Sequence, residues 1–208
     1  MISSPNNVAY PNKIIMEQTK YSKIYRIMHW AIAITFLLLL ITIFLRLTWL
    51  NKHNVAAIIQ DYMSNNNLTL TEDQSIILAK KIRKPMWDWH IYLGYVLTGL
   101  FTIRFLLPAF GVMKIQNPLD KNATTKIKFQ KWTYIIFYVC VVISLITGLI
   151  IVLGPKEYKS TMEGIHEFGT YYLVAFIALH IGGVLISELT NDKGVISRII
   201  NGSERKEQ

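Results

Sequence analysis

The stretch IHEFGTYYLVAFIALHIGGVL, Ile165–Leu185, decides how the chain is read. From Phe168 to Ser187 there is no Lys, Arg, Asp or Glu. As a helix that run is long enough to cross a hydrocarbon core of about 30 Å, which takes about 20 apolar residues. Yet the stretch holds two histidines, His166 and His180, fourteen residues apart. At about 1.5 Å rise per residue they stand about 21 Å apart along the axis. Fourteen steps of about 100° return to within about 40° of the same face. An ionisable side chain at membrane depth is costly and marks function by default. One helix with one histidine per leaflet on one face therefore asks what meets them.

Three further apolar runs lie upstream. Ile27–Leu45 carries no Lys, Arg, Asp or Glu, Trp89–Met113 is interrupted only by Arg104, and Trp132–Pro155 carries no charge. Helices of a soluble bundle keep a polar stripe, and these show almost none. The fold expected is all-α, an integral membrane four-helix bundle with spans about 24–48, 86–110, 131–154 and 163–188. Residues 20–203 form one membrane domain between a flexible polar tail, 1–19, and a short tail, 204–208. The polar start lacks the basic-then-apolar pattern of a signal peptide, and the first run is too long for one, so it reads as a retained anchor.

The connection 50–85 is the longest. Thr71 with Gln74 reads as a capping box that opens a short helix, Glu72–Lys84. Pro85 suits the first turn of the second span. Asp192–Gly202 reads as a short amphipathic helix with Val195, Ile196, Ile199 and Ile200 on one side.

The chain of 208 residues is 52% hydrophobic and 17% charged, with a net charge of +9. The single cysteine, Cys140, excludes an internal disulfide. The charge is distributed as a topology label rather than a nucleic-acid surface. With both termini inside, the inner segments hold most of the basic residues, among them Lys20, Lys23, Arg26, Lys114, Lys121, Lys126, Lys128, Lys131, Lys193 and Arg198. The outer cluster Lys80, Lys81, Arg83 and Lys84 runs against that bias.

Alternating spans then sort the histidines by depth. His29 lies near the inner face, at the start of the first span. His90 and His166 lie near the outer face, and His180 lies deep on the inner side. His53 falls in the outer loop. Two stacked bis-histidine sites follow, His29 with His180 and His90 with His166. Structural zinc wants four ligands, usually with sulfur, and no cysteine is near either pair. No Cys-x-x-Cys-His is present, which excludes covalent haem c. Imidazole is a standard axial ligand of haem, and bundle cores house cofactors, so two non-covalent haem b groups are expected. A haem-free histidine-based metal or proton transporter is the alternative, although the spans offer no paired carboxylates.

Gly94 is four residues past His90 and Gly169 three past His166. Each gives a flat macrocycle room to approach the backbone or lets two helices pack closely. Arg104, fourteen past His90, comes to the depth of the inner haem, where its charge either pairs with a propionate or snorkels to the surface. Snorkelling is the reading for Arg46. Trp30, Trp49, Trp87, Trp89 and Trp132 read as an interfacial belt. Glu163 and Glu167 flank His166 as a proton relay or as ordinary acidic residues at a helix start.

With these residues in view, the chain resembles the bacterial cytochrome b561 family, which includes the cytochrome b subunits of nickel–iron hydrogenases and related cytochrome b/b6-domain proteins. The matching stretches are KYSKIYRIMHW (Lys20–Trp30), WHIYLGYVLTGLFTIRF (Trp89–Phe105), ITG (Ile146–Gly148), Ile165–Leu185 and the closing GVISRIINGSERK. The resemblance implies axial ligands at His29, His90, His166 and His180, a place in the bacterial inner membrane, and electron transfer across it with quinone as donor or acceptor. The partners implied are membrane lipid, the quinone pool and a redox partner protein or dehydrogenase subunit, with dimerisation left open. Some relatives oxidise superoxide and reduce quinone on their own, which is a second functional reading. Lys131 and Trp132 stand where some members carry a further histidine.

Overall fold

The structure is a computed structural model that describes residues 21–111, 119, 123–190 and 194–202. The two tails, Lys114, Lys121 and Lys193 lie outside the described residues, and so does much of the basic inside label. All regular structure among the described residues is helical.

Among the described residues eight α-helices follow in chain order: α1 Lys23–Leu47, α2 Lys52–Asn65, α3 Glu72–Ile82, α4 Lys84–Leu106, α5 Thr125–Leu153, α6 Lys159–Glu167, α7 Gly169–Leu189 and α8 Val195–Asn201. Four helical segments are long and apolar enough to cross a membrane: Lys23–Leu47, Lys84–Phe110, Thr125–Leu153 and Lys156–Leu189. Their outward faces expose Leu37, Ile41, Phe44, Val139, Ile146 and Leu185 among many others. An apolar belt of that extent belongs against lipid rather than water. The chain is a multi-pass membrane protein.

The spans alternate in direction. α1 packs along α4, α5 along α7, and α6 folds against α5. Their shared core is Phe36, Leu39, Leu97, Phe101, Phe137, Val141 and Leu173. This core is a middle layer. Leu97 is seven residues from both His90 and Arg104, Leu173 seven from both His166 and His180, and Phe36 seven past His29. Seven residues rise about 10 Å, so the packed layer separates two ends of the bundle, each with its own histidines.

Two features depart from the sequence reading. α5 begins at Thr125 rather than near 131, because the Thr124 side chain caps it by accepting from the Ile127 N–H. The last span is not one helix: α6 and α7 meet at Phe168, where the Tyr171 N–H donates to the Phe168 carbonyl. His166 and His180 thus sit on two consecutive helices.

Outside the bundle, α2 and α3 form a hairpin around Val55, Ala56 and Ala79. Both halves of the capping box are made: Gln74 N–H donates to Thr71 Oγ1 at 3.2 Å, and Thr71 N–H donates to Gln74 Oε1 at 2.9 Å. Replacing Thr71 by alanine is expected to cost about 1 kcal/mol locally. Amide exchange should quicken in α3 while the spans keep their protection.

Candidate functional site

The two histidine pairs are built from residues whose backbone positions are set by antiparallel spans. At one end of the bundle, the inner one in the orientation expected from the charge distribution, the His29 and His180 rings lie 6.0 Å apart between centres, tilted by 45°. At the opposite end, the outer one in that orientation, His90 and His166 lie 6.3 Å apart, at 84°. A metal–imidazole bond is about 2.0 Å. With roughly 1.1 Å from nitrogen to ring centre on each side, two imidazoles sharing one metal stand about 6.3 Å apart. Both pairs have that spacing.

The hydrogen bonds behind the rings decide which nitrogen faces the gap. The Thr42 hydroxyl donates to the Leu39 carbonyl at 2.6 Å. Its oxygen is then left to accept, and it lies 2.8 Å from His90 Nδ1. Behind His166, Nδ1 lies 2.9 Å from the Ser144 carbonyl oxygen, which only accepts. Thr147 Oγ1 is 3.2 Å from the same nitrogen while it donates to the Ile143 carbonyl. At the inner end the Tyr134 hydroxyl is 3.2 Å from His180 Nδ1. In three of the four histidines Nδ1 is thus occupied, and a neutral ring held through Nδ1–H presents the Nε2 lone pair to a metal.

The outer pair opens into a cavity of about 540 Å³, within the range of cofactor sites. Gly94 lines it, and a Cβ there would meet nothing within 4 Å. Trp87 stacks on His90 at 4.6 Å, with an angle of 2° between the rings. Arg46, Lys80, Arg83, Lys84 and Lys159 bring positive charge to the same cavity, and Asp88, Glu163 and Glu167 offset part of it, pairing with Lys84, Lys159 and Arg46. Burial, and then the Arg46 charge, hold the Arg83 guanidinium below its ordinary pKa. Its Nη1 donates to the Leu50 carbonyl at 3.3 Å, tying the hairpin to the end of the first span. Two imidazoles with engaged Nδ1 atoms, an open glycine wall and a cationic rim are a donor set that fits haem with its propionates.

Arg46 stays partly exposed in the last turn of α1, in keeping with a snorkelling cation, with its guanidinium over Trp87 at 4.5 Å and 3.8 Å from Glu167. At Gly169 a Cβ would stand 2.8 Å from Ser144 Oγ on α5, which supports the close-packing reading of this glycine. Gly148 is the residue that sequence reasoning missed as a site residue: a Cβ there would lie 3.0 Å from His166 Cε1. Arg104 is buried on α4, its guanidinium over the Tyr138 ring at 5.5 Å. Glu163 faces Lys159 at 4.0 Å and lines the outer cavity. His53 sits on α2 in the hairpin. Thr42, Ser144, Thr147 and Tyr134 carried no sequence signal, since a hydroxyl or a carbonyl in an apolar run reads as ordinary helix.

Comparison with known proteins adds the family. No curated protein and no solved structure matches the chain. The family model described as prokaryotic cytochrome b561 matches residues 20–202, nearly the whole chain and all four spans. That family implies b-type haem, in agreement with the donor set around His90 and His166. The chain belongs to the prokaryotic cytochrome b561 family, and is a membrane b-type cytochrome of electron transfer.

Proposed function

We propose that the chain holds two b haems, one between His29 and His180 and one between His90 and His166, and carries electrons across the bacterial inner membrane between quinone and a redox partner protein. Both termini lie on the cytoplasmic side in this reading. The observation that carries it is the pair of facing histidines at each end of the bundle, spaced at 6.0 and 6.3 Å. The two sites are vertically separate. Thr42, which touches His90, follows His29 by thirteen residues on α1, or about 20 Å of helix. Bound haem supplies one-electron chemistry at its iron. The chain supplies the ligands, the dry middle layer of Phe36, Phe101 and Phe137 between them, and charge. Arg104, buried among α4 and α5 residues, lies at the depth where it holds an inner propionate.

The test is a haem count. Protein purified in detergent and reduced with dithionite is expected to show a b-type α band and two haems per chain. A colourless chain that folds and extracts normally overturns the reading. The haem-free transporter is the less supported reading, since no group of three or more metal-ligating side chains occurs among the described residues.

A second reading rests on the outer cavity. The lining around His90 and His166 carries five cationic side chains against Asp88, Glu163 and Glu167, and the cationic excess, from Lys80 and Arg83, raises the local concentration of a small anion, as a stand-alone superoxide:quinone oxidoreductase requires. Superoxide-dependent quinone reduction by the isolated chain selects this reading. Reduction only in the presence of a co-purifying dehydrogenase selects the carrier.

A further inference from the structure

α8 lies at the inner end of the bundle and is tied to two different spans. It is only seven residues long, too short to hold itself as a helix in water. Its order comes from both ends. At its start the Glu188 carboxylate, at the end of α7, accepts from the Gly194 N–H at 2.9 Å and the Ile196 N–H at 3.2 Å. At its finish two side chains of α1 reach its last carbonyls. Arg26 Nη1 donates to the Ile200 carbonyl at 3.0 Å, and Trp30 Nε1 donates to the Ile199 carbonyl at 3.3 Å.

Glycines fix the path. Gly194 and Gly202 flank α8 with φ of 92° and 72°, a region that disfavours other residues. At Gly202 a Cβ would stand 2.8 Å from Arg26 Cζ. Arg198, in the middle of α8, is 4% exposed, so the helix is seated rather than lying loosely on the surface.

The two spans joined in this way are those that carry His29 and His180. α1 packs mainly on α4, and α7 on α5, so the inner pair faces across a seam that neither packing holds directly. Trp30 also meets His29 edge-on, with ring centres 5.6 Å apart at 86°. One indole therefore bonds α8 through its N–H and contacts the His29 ring.

We infer that α8 is a clasp that sets the spacing of the inner histidine pair, with Glu188, Arg26 and Trp30 as positioning residues for the haem held there. Two ligands on separate helices hold one metal only when their supports keep them within about 0.5 Å of the productive geometry. Supports one step removed from the metal change affinity about 10–100-fold when lost. The clasp rests on the pairing of His29 with His180 proposed above.

The test uses the full chain purified with its haem. Haem release to excess apomyoglobin is followed, with the two components resolved by redox titration. His180→Ala and His29→Ala identify the inner component, and the outer component reports in each sample that the bundle is folded. Glu188→Ala, Trp30→Phe and Gly202→Val are each expected to release the inner haem about tenfold faster and to shift its potential, with the outer haem unchanged. Arg26→Lys, which keeps a donor, should fall between these and the parent. Inner release and potential equal to the parent in Glu188→Ala and Trp30→Phe overturn the clasp while the pairing stands. Loss of different components in His29→Ala and His180→Ala overturns the pairing, and the clasp with it.

Discussion

His180→Ala should lower the haem content from about two per chain to about one, and His29→Ala should remove the same haem. The expectation comes from distance. The two rings face each other at 6.0 Å, while His90 and His166 face each other at the other end of the bundle. Removing one imidazole would leave a haem held there with one histidine ligand instead of two, and a void in place of a ring. The remaining contacts of the inner site, such as Phe176 stacked on His180 at 5.6 Å, were built around the missing ring and do not replace a ligand. The outer site shares no ligand with the inner one. Between them lies the layer of Phe36, Leu97, Val141 and Leu173, so it should keep its band and its potential. His90→Ala and His166→Ala should produce the complementary spectrum. Redox titration of the four variants decides the matter: two variants must resemble each other at each end. If His29→Ala matched His166→Ala instead, the depth assignment would be wrong for one span.

The bilayer made the architecture legible. It demands about 20 apolar residues per crossing, and it left four such runs that composition averages had hidden under long polar connections. Depth was legible for the same reason, since alternating spans convert position within a run into height. The interruption at Phe168 was not. It has no proline, and Ile165, Phe168 and Tyr172 keep helical spacing across it, so periodicity sees one helix. What differs is tertiary: Gly169 lies against Ser144, and α6 packs over the end of α5. The outer hairpin shows the opposite case. Thr71 and Gln74 act within four residues, so the capping box needed nothing beyond local sequence.

The supports of the histidines were illegible for a related reason. Thr42 bonds back to the Leu39 carbonyl within its own helix, as any threonine in an apolar helix does. Its second role, toward His90 Nδ1, depends on α4 lying alongside α1. Arg46 reaches toward water at its span end, as a single basic residue there normally does, and what the sequence could not name is its company: Trp87 and Glu167 come from two other helices. A sequence names candidates at the right depth; neighbouring helices decide which ring nitrogen faces its partner and which ring a cation lies over.

Gly148→Val is expected to abolish the outer haem and spare the inner one. Three glycines near the outer site have three different surroundings, and only this one bears on a ligand. At Gly94 an added Cβ meets open space, so Gly94→Ala should leave the fold unchanged and act only through whatever occupies the cavity. At Gly169 the obstacle is Ser144 Oγ, so substitution strains the contact between α5 and α7. At Gly148 the obstacle is His166 itself, with Cε1 at 3.0 Å and Nδ1 at 3.5 Å from the added atom. The ring has little freedom to retreat, because Nδ1 is tied to the Ser144 carbonyl at 2.9 Å on the same helix, α5. A single methyl, in Gly148→Ala, asks for a shift of a few tenths of an ångström, and the bond to Ser144 can stretch by that much. The outer haem should remain, with a displaced potential. The branched side chain of valine adds two further carbons against the ring. It either breaks the Nδ1 bond or turns Nε2 out of line, and each outcome costs the iron a ligand. Removing an imidazole from behind, with His166 still present, should therefore match His166→Ala in its spectrum. Retention of both haems with unchanged potentials in Gly148→Val would show that His166 is not held in the place from which it binds.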